Sequence, residues 1–191
     1  TPWTLPGNVA LAFHPEYEYA WVRLSPSHPS LKEEIIIVAK ELASSLLQKF
    51  RIENYDILKV SRGKDLEGIV CSHPFMDRDS VGICADFVTL EEGTGIVHIA
   101  PGHGQEDYQI GLKYGLPVLA PVDGKGEFTD EVPQFSGVDV FSSNKLIIEE
   151  LENSSHLLHS EEIVHTYPHC WRCKKPIIFR ATEQWFLNVD K

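Results

Sequence analysis

The amino-acid sequence predicts an α+β fold with a mainly β core, in which a small closed β-barrel is decorated by helices. The chain contains many short alternating or β-branched segments, each bounded by Gly, Pro or Asp. Only a few stretches carry apolar residues at helical spacing. Strands and helices do not alternate in the regular order that builds a parallel sheet. Because the 191 residues contain no internal repeat, we predict a single domain over residues 1–191.

The strand predictions rest on alternating or β-branched apolar runs. The first two strands are expected to be joined by a turn at His14 and Pro15. A second turn at residues 123–126 contains two glycines and separates two apolar segments. The predicted strands are residues 9–13, 17–24, 35–38, 55–60, 68–71, 81–88 and 96–99.

Helices are predicted at three places. Apolar residues recur at helical spacing over residues 39–50, which indicates a helix with one face packed on a sheet. Residues 105–114 are predicted to form a second helix with Ile110 and Leu112 facing the core. A third helix is expected later in the chain, where Ser142 or Ser143 supplies the N-cap.

Composition and charge describe a globular protein and exclude some functions. Hydrophobic residues make up 42% and charged residues 24% of the chain, which is enough for a core without disulfides. The 28 acidic residues outnumber the 17 basic ones, and the formal net charge of −11 argues against a general nucleic-acid binder. Any RNA contact is therefore expected to be local. The denser basic group, Arg172, Lys174, Lys175 and Arg180, is consistent with such a contact or with solvated surface, whereas the group Lys59, Arg62 and Lys64 is interpreted as solvated surface.

The cellular setting is predicted from cysteine content and hydropathy. Four cysteines are too few for a disulfide scaffold, so we expect a reducing, cytoplasmic setting. No apolar run approaches the roughly 18 residues that are needed to cross a bilayer, and no membrane partner is expected.

Residues 93–108 form the most informative stretch, because a short strand breaks into a glycine-rich bend that ends in a carboxylate at a helix start. Gly102 and Gly104 are expected to adopt backbone conformations that a Cβ would forbid, and to let a ligand approach closely. Asp107 and His98 would then face a common space. The Asp107 carboxylate is suited to bind an ammonium group of a ligand. Its spacing is equally consistent with a structural carboxylate that interacts with the helix dipole.

Two histidines of this stretch receive different interpretations. A lone strand histidine such as His98 is more often a partly buried structural residue than a catalyst. His103 is predicted to be a more exposed loop residue, and no role is assigned to it.

The first six residues, Thr-Pro-Trp-Thr-Leu-Pro, place two hydroxyl groups beside a tryptophan. A residue before proline is pushed into an extended conformation, so Thr1 and Thr4 are predicted on a stiff, strand-like segment. Trp3 would supply a flat wall between them. The structural alternative is a strand that opens a sheet and places an aromatic side chain in the core.

Cys170 and Cys173 have the spacing of metal ligands, but a single CxxC is only half of a four-thiolate site. His165 and His169 are alternative ligands that could complete the site within this chain. We predict that the half-site is empty here.

Taken together, the N-terminal motif, the run of residues 93–108 and the His-Cys-Trp-Arg-Cys motif of residues 169–173 closely resemble the editing domain inserted into isoleucyl-tRNA synthetase, a class I aminoacyl-tRNA synthetase. The resemblance covers nearly the whole chain. It implies that the chain is a fragment of a larger synthetase, in which residues 163–191 rejoin the parent protein. The ATP-binding ligase site is expected in that parent.

The resemblance also implies roles for the site residues. Thr1, Thr4 and Trp3 would line the editing pocket and contact the misacylated terminal adenosine, with the threonines in the catalytic wall. Asp107 would hold the α-ammonium of the aminoacyl group, and His98 would form a wall that reads the size of the substrate side chain.

The implied metal chemistry is separate from editing. In the parent synthetase, Cys170 and Cys173 would join a second CxxC outside this chain to hold zinc, and no cofactor is expected for editing itself.

The function implied by the resemblance is hydrolytic proofreading at the 3′ end of tRNA(Ile). Valyl-tRNA(Ile) would be deacylated, with valyl-adenylate as a second candidate substrate, while isoleucine would be excluded. The sequence contains no nucleophile elbow, P-loop or HExxH motif, so attack by a positioned water is favoured over covalent catalysis.

Two alternatives remain open. One is the editing domain of valyl- or leucyl-tRNA synthetase, whose versions carry an arginine after the threonines. The other is a noncatalytic module with a zinc half-site that docks RNA or protein through the basic group of residues 172–180.

Overall fold

The structure is a computed structural model, and it describes residues 1–24, 35–91, 93–164 and 166–189. The α-helices are α1 (Lys40–Lys49), α2 (Gln105–Tyr114) and α3 (Val140–Asn153), and two 3-10 helices span Pro2–Gly7 and Gly63–Leu66. The strands are β1 (Ala10–Phe13), β2 (Glu18–Leu24), β3 (Ile35–Ala39), β4 (Tyr55–Arg62), β5 (Val70–Ser72), β6 (Asp79–Cys84) and β7 (Ile96–Ile99).

The strands form two sheets in the described part of the chain. The larger sheet has the order β5-β6-β1-β7, with β1 parallel to β6 and antiparallel to β7. The smaller sheet has the order β3-β2-β4 and is antiparallel throughout. The α+β class is as predicted, but the strand pairing of the described residues does not close a barrel.

Strand connectivity explains this difference. Parallel strands cannot be joined by a tight hairpin, so the chain between β1 and β6 must make a long crossover. That crossover contains β2, β3 and β4, which pair among themselves as a separate sheet. The predicted strands β1 and β2 and the turn between them are present, but the two strands belong to different sheets.

A packed corner joins the two sheets. Phe13 and Tyr19 meet edge to face with ring centroids 5.3 Å apart, and both belong to one buried cluster with Ala39 and Leu66. The Tyr19 hydroxyl donates to the Gly95 carbonyl at 2.8 Å. This corner holds the start of β7 against the smaller sheet, and so fixes the strand that carries His98.

Helices α1 and α2 have the bounds that the apolar spacing predicts, within two residues. Helix α1 buries Ala43, Leu46 and Leu47 against the smaller sheet. In α2, Ile110 packs against the core as predicted, but Leu112 is 57% exposed. Because successive helical residues are about 100° apart, two residues that differ by two positions cannot share one face.

Helix α3 is capped by Asp139 and not by a serine. The Asp139 carboxylate accepts the backbone N–H groups of Phe141 and Ser142 at 3.0 and 3.1 Å. The predicted cap Ser143 is instead buried, and its hydroxyl donates to the Val140 carbonyl at 2.7 Å. The helix thus begins three to four residues earlier than predicted.

The C-terminal part of the described chain, residues 166–189, forms no helix and no extended sheet strand. An isolated bridge pairs His169 with Pro176, and the Ala181 N–H donates to the Gly102 carbonyl at 2.8 Å. The segment therefore returns to the glycine-rich loop. No helix in the described residues is long and apolar enough to cross a membrane.

Candidate active site

One cavity of about 410 Å³ brings together side chains that lie far apart in the sequence. It lies where the N-terminal 3-10 helix, strand β7, the start of α2 and the C-terminal segment meet. All five residues predicted for substrate contact or catalysis line it, together with six others. The lining residues are Thr1, Trp3, Thr4, Val97, His98, His103, Gly104, Asp107, Tyr167, Pro168 and Phe179.

The two threonines lie on a 3-10 helix, Pro2–Gly7, and not on the predicted strand-like segment. The φ angle that proline imposes is shared by extended and 3-10 backbone, so the prolines alone do not decide between them. The Thr4 N–H donates to the Thr1 carbonyl at 3.3 Å, and the Thr4 hydroxyl donates to the same oxygen at 3.0 Å. The helix turns both threonines toward one cavity.

Trp3 was predicted either to form a wall of the pocket or to lie in the core, and it does both: it is a core residue that also borders the cavity. Its side chain is 2% exposed and packs with Val122, Phe128 and other residues of one buried cluster. Its backbone N–H donates to the Asn144 side-chain oxygen at 2.9 Å, which ties the 3-10 helix to α3. Trp3 is therefore a rigid wall.

His98 is held through both ring nitrogens. Its Nε2 lies 3.0 Å from the Thr4 hydroxyl oxygen, and its Nδ1 lies 3.4 Å from the side-chain nitrogen of Asn8. That amide nitrogen also donates to the Ala10 carbonyl, which can only accept, so the orientation of the amide is determined. Nδ1 is then an acceptor, and the ring proton lies on Nε2 and points to Thr4.

The electrostatics of His98 follow from burial of its ring. Loss of solvation lowers the pKa of His98 from 6.5 to about 4. The ring is consequently neutral at pH 7. A neutral imidazole with both nitrogens engaged contributes shape to the cavity more than proton transfer.

Asp107 lies in the first turn of α2. Its half-buried negative charge is only partly balanced by a hydrogen bond from the backbone. Its Oδ2 accepts the Ala100 N–H at 2.8 Å. Burial raises the pKa of Asp107, and the backbone N–H of Ala100 opposes that shift. No ion pair joins Asp107 to a basic side chain among the described residues. A ligand ammonium would supply the missing positive charge.

The glycine-rich loop fits closely against its neighbours. A Cβ on Gly102 would lie 1.9 Å from the Leu119 carbonyl oxygen, and one on Gly104 would lie 3.0 Å from Asp107 Oδ1. The φ of Gly104 is −143°, an ordinary extended value. These glycines are therefore required by close packing, and not by the special backbone conformations that we predicted.

His103 corrects another prediction, since it is buried and not an exposed loop residue. Its side chain is 7% exposed and packs edge to face on Trp3 with ring centroids 4.9 Å apart. Its Nδ1 lies 3.1 Å from the Phe179 carbonyl oxygen, so this nitrogen carries the proton. His103 thus links the loop to the C-terminal segment.

The Cys170 and Cys173 pair lies outside the cavity. Backbone N–H groups of Cys173 and Arg172 point to the Cys170 sulfur and lower the pKa of its thiol. This donor set fits two of the four ligands of a structural zinc site. No cluster of three or more metal-ligating side chains occurs among the described residues, and His165 lies outside them.

A larger cavity of about 560 Å³ lies between the smaller sheet, α1 and residues 156–161. It is lined mainly by apolar side chains such as Ile36, Leu46 and Phe50. None of the residues predicted for catalysis or substrate binding lines it. By size alone this groove would be the candidate active site, but the polar side chains converge on the smaller cavity, which is therefore the better candidate.

Sequence reasoning missed three supporting residues. Asn8 contacts His98, as described above. His73 and Arg78 come from the loop between β5 and β6 and donate to carbonyl oxygens of the N-terminal segment. The available signal was a cluster of polar residues between two strands, which does not by itself indicate what the cluster contacts.

Comparisons with known proteins point to one family of domains. A family profile described as the editing domain of leucyl-tRNA synthetase matches residues 17–156. Isoleucine–tRNA ligases from Kosmotoga olearia and Moorella thermoacetica are 51% and 50% identical to the chain over its whole length. The chain spans only 20% of the length of these relatives.

A solved structure shows a similar fold. The cytosolic leucyl-tRNA synthetase editing domain of P. falciparum aligns with a TM-score of 0.61, over 84% of this chain and 77% of that one. The sequence identity of 13% limits this likeness to the fold.

Proposed function

Because this chain belongs to the family described as the leucyl-tRNA synthetase editing domain, we propose that it hydrolyses the ester bond of a mischarged aminoacyl-tRNA. The identity of about one half to isoleucine–tRNA ligases supports an isoleucine enzyme as the parent. The substrate would then be valyl-tRNA(Ile), with valyl-adenylate as a second candidate, and isoleucine would be excluded.

Selection against a smaller amino acid needs a second site. One methylene in an apolar pocket is worth only about 1–3 kcal/mol, a limit for which isoleucyl-tRNA synthetase itself is the established example. A hydrolytic cavity reverses the test, because valine enters it and isoleucine is too large. A wall of rigid side chains such as Trp3 and His98 suits this kind of exclusion.

Each predicted side chain has a place in this proposal. Asp107 binds the α-ammonium of the aminoacyl group, since its buried carboxylate has no basic partner among the described residues. His98 borders the substrate side chain as a neutral ring. Thr1 and Thr4 lie beside the ester, and Thr4 can accept a further hydrogen bond from a water or a ribose hydroxyl.

The chemical step needs positioning more than a protein nucleophile. A water oxygen adds to the ester carbonyl carbon, and the bond between that carbon and the ribose oxygen then breaks. One water proton ends on the ribose oxygen, which regenerates the free 3′ end, and valine leaves as its carboxylate. An ester is already activated, so orientation of water and substrate supplies most of the required acceleration.

The proposed partners are the 3′ end of tRNA(Ile) and the rest of a parent synthetase, in the cytoplasm. Residues 163–191 would connect this domain to that parent. No cofactor takes part in hydrolysis. In the parent, Cys170 and Cys173 would supply two thiolate ligands to zinc, which would hold the ends of the C-terminal segment together.

The observation that carries this proposal is the convergence of Thr4, His98 and Asp107 on one cavity. Its test is the release of labelled amino acid from valyl-tRNA(Ile) and isoleucyl-tRNA(Ile), each incubated with the chain. We expect valine to be released well above the rate without protein, and isoleucine to be retained. Equal rates for valyl-tRNA(Ile) with and without the protein would reject the proposal.

A further inference from the structure

The N-terminal 3-10 helix, Pro2–Gly7, forms one wall of the cavity and is held in place by other elements. It belongs to neither sheet, and it spans only six residues. The last carbonyl groups of any helix lack partners within the helix, so they must be satisfied from elsewhere. At this helix the Leu5 carbonyl accepts the backbone N–H of Asn8, and further donors come from one loop, residues 73–78, between β5 and β6.

His73 holds the first of these carbonyls. Its Nε2 lies 2.9 Å from the Leu5 carbonyl oxygen. Its Nδ1 accepts the backbone N–H groups of Phe75 and Met76 at 3.3 and 3.0 Å, so the ring proton must lie on Nε2. The side chain is 6% exposed. His73 is therefore a neutral, single-tautomer donor whose own loop fixes its direction.

Arg78 binds two further carbonyls, one in the helix and one at the residue that follows it. Its Nε donates to the Asn8 carbonyl at 3.0 Å, and its terminal nitrogen donates to the Pro6 carbonyl. Among the described residues, no carboxylate forms an ion pair with Arg78. The guanidinium is thus used on backbone oxygens at the end of the helix, where the helix dipole favours a positive charge.

Two routes lead from this loop to His98. Through the helix, the loop holds the backbone that carries Thr4, whose hydroxyl contacts His98 Nε2 at 3.0 Å. Through Asn8, whose carbonyl Arg78 holds, it reaches His98 Nδ1 at 3.4 Å. Ser80, at the start of β6, donates to the Asn8 side-chain oxygen and orients the amide.

We propose that His73 and Arg78 are positioning residues of the editing cavity, which hold the N-terminal 3-10 helix by its carbonyl oxygens and so place Thr4 against His98. Neither residue lines the cavity, so both act through other groups. This inference rests on the proposed function for its kinetic consequence. Displacement of a catalytic wall by about 1 Å is enough to lower a rate by up to about 100-fold.

The test uses paired substitutions that differ in one donor. Gln at position 73 can still donate an N–H near the Nε2 position, whereas Asn is too short to reach Leu5. Lys at position 78 can still donate to one carbonyl, whereas Met keeps only the apolar stem. For valyl-tRNA(Ile), we expect kcat to fall about 10- to 100-fold in His73→Asn and Arg78→Met, with KM within about two-fold. His73→Gln and Arg78→Lys should recover part of the loss.

Matched controls remove the same chemical groups elsewhere. His14 Nδ1 also accepts a backbone N–H, from Glu16 at 3.3 Å, and exposed Arg62 pairs with the Glu16 carboxylate at 3.0 Å. Neither residue contacts the N-terminal 3-10 helix, Pro2–Gly7, in the described hydrogen bonds. His14→Asn and Arg62→Met should therefore leave kcat unchanged.

A second measurement does not depend on activity. NMR titration of His98 reports its burial, and its pKa should rise toward 6.5 in His73→Asn and Arg78→Met as water enters beside a displaced helix. A folded variant in which both kcat and the His98 titration match the wild type would overturn the inference. So would equal kcat values within each pair at equal stability. If one variant does not fold, the pair at the other position decides.

The two proposals fail in different ways. A wild-type chain without deacylation rejects the proposed function, whatever the variants do. A wild-type chain with full deacylation, together with fully active His73→Asn and Arg78→Met, rejects the positioning role alone.

Discussion

Thr4 and His98 lie 94 residues apart in the sequence, yet the Thr4 hydroxyl oxygen lies 3.0 Å from His98 Nε2. The contact joins a 3-10 helix that is outside both sheets to the edge strand of the larger sheet. The Asn8 amide donates to His98 Nδ1, so the ring proton lies on Nε2 and points to the Thr4 oxygen. The cavity therefore depends on the relative placement of two elements that do not pair.

Asp107→Ala is expected to reduce deacylation of valyl-tRNA(Ile) by at least 100-fold, because the ammonium of the substrate loses its only proposed carboxylate. Stability should change by no more than about 1 kcal/mol, since a helix-start carboxylate contributes about 0.3–1 kcal/mol. Urea unfolding measures the second quantity. Glu106→Gln, one position earlier on the exposed face of α2, is the matched control and should retain activity. Full activity in Asp107→Ala would assign this residue a purely structural role.

His98→Ala is expected to shift selectivity toward isoleucine. Removing the ring enlarges the cavity, and about 1–3 kcal/mol per methylene is all that separates the two substrates. The measurement is the ratio of deacylation rates for isoleucyl-tRNA(Ile) and valyl-tRNA(Ile), which should rise by about ten-fold or more even if both rates fall. An unchanged ratio with lower activity would mean that His98 positions the ester or the water and that the size filter lies elsewhere.

Acidification should destabilise the protein through His98. The pKa of His98 is about 4 in the folded chain and 6.5 in the unfolded chain. Between these pH values the side chain is therefore protonated when the chain is unfolded and neutral when it is folded. Stability is fully present above pH 6.5 and declines as the pH falls toward 4, by an amount on the order of 3 kcal/mol. Burial also lowers the pKa of His73 and His103, which act in the same direction. The raised pKa of Asp107 opposes this trend near its own titration.

The pH effect can be isolated by urea unfolding at a series of pH values. His98→Gln should flatten the decline between pH 6.5 and 4, and the same exchange at exposed His156 serves as the control. An identical pH profile in the wild type and His98→Gln would contradict a buried neutral His98.

The isolated chain is expected to bind well under one zinc ion per molecule after gentle purification. Cys170 and Cys173 provide two thiolates, whereas a closed structural site needs four ligands. Metal analysis by mass spectrometry measures the ratio, with Cys173→Ser as the reference for nonspecific metal. Stoichiometric zinc that resists a chelator would mean that His165, His169 or a second chain completes the site.

Asp139→Ala should lower the free energy of unfolding by about 1 kcal/mol, within a range of roughly 0.5–2 kcal/mol for loss of an N-cap. Its carboxylate accepts two backbone N–H groups at the start of α3. Ser142→Ala is the matched control, since this exposed serine does not cap the helix. A larger loss in Ser142→Ala than in Asp139→Ala would contradict the observed cap.

Local pattern was sufficient for some elements. Strand β7 and helix α2 have the predicted bounds, because their apolar periodicity and glycine boundaries are properties of consecutive residues. The same holds for the carboxylate in the first turn of α2. These features depend on neighbours within a few positions, which the sequence displays directly.

Other features depended on contacts between distant residues. The prolines near Thr1 allow both extended and 3-10 backbone, and the side chains of His73, Arg78 and Asn144 hold the helical alternative. His103 looked exposed from its glycine neighbours, but Trp3 and Gly7 pack against it.

The sequence by itself determined the α+β class, most strand and helix positions, and the residue types of the candidate site, because these follow from periodicity, turn chemistry and motif. Only the tertiary structure decided the pairing of strands into two sheets, the tautomer of His98 and the support of the N-terminal helix. Those outcomes are set by packing and hydrogen bonds between separate segments of the chain, whose free energies no local pattern records.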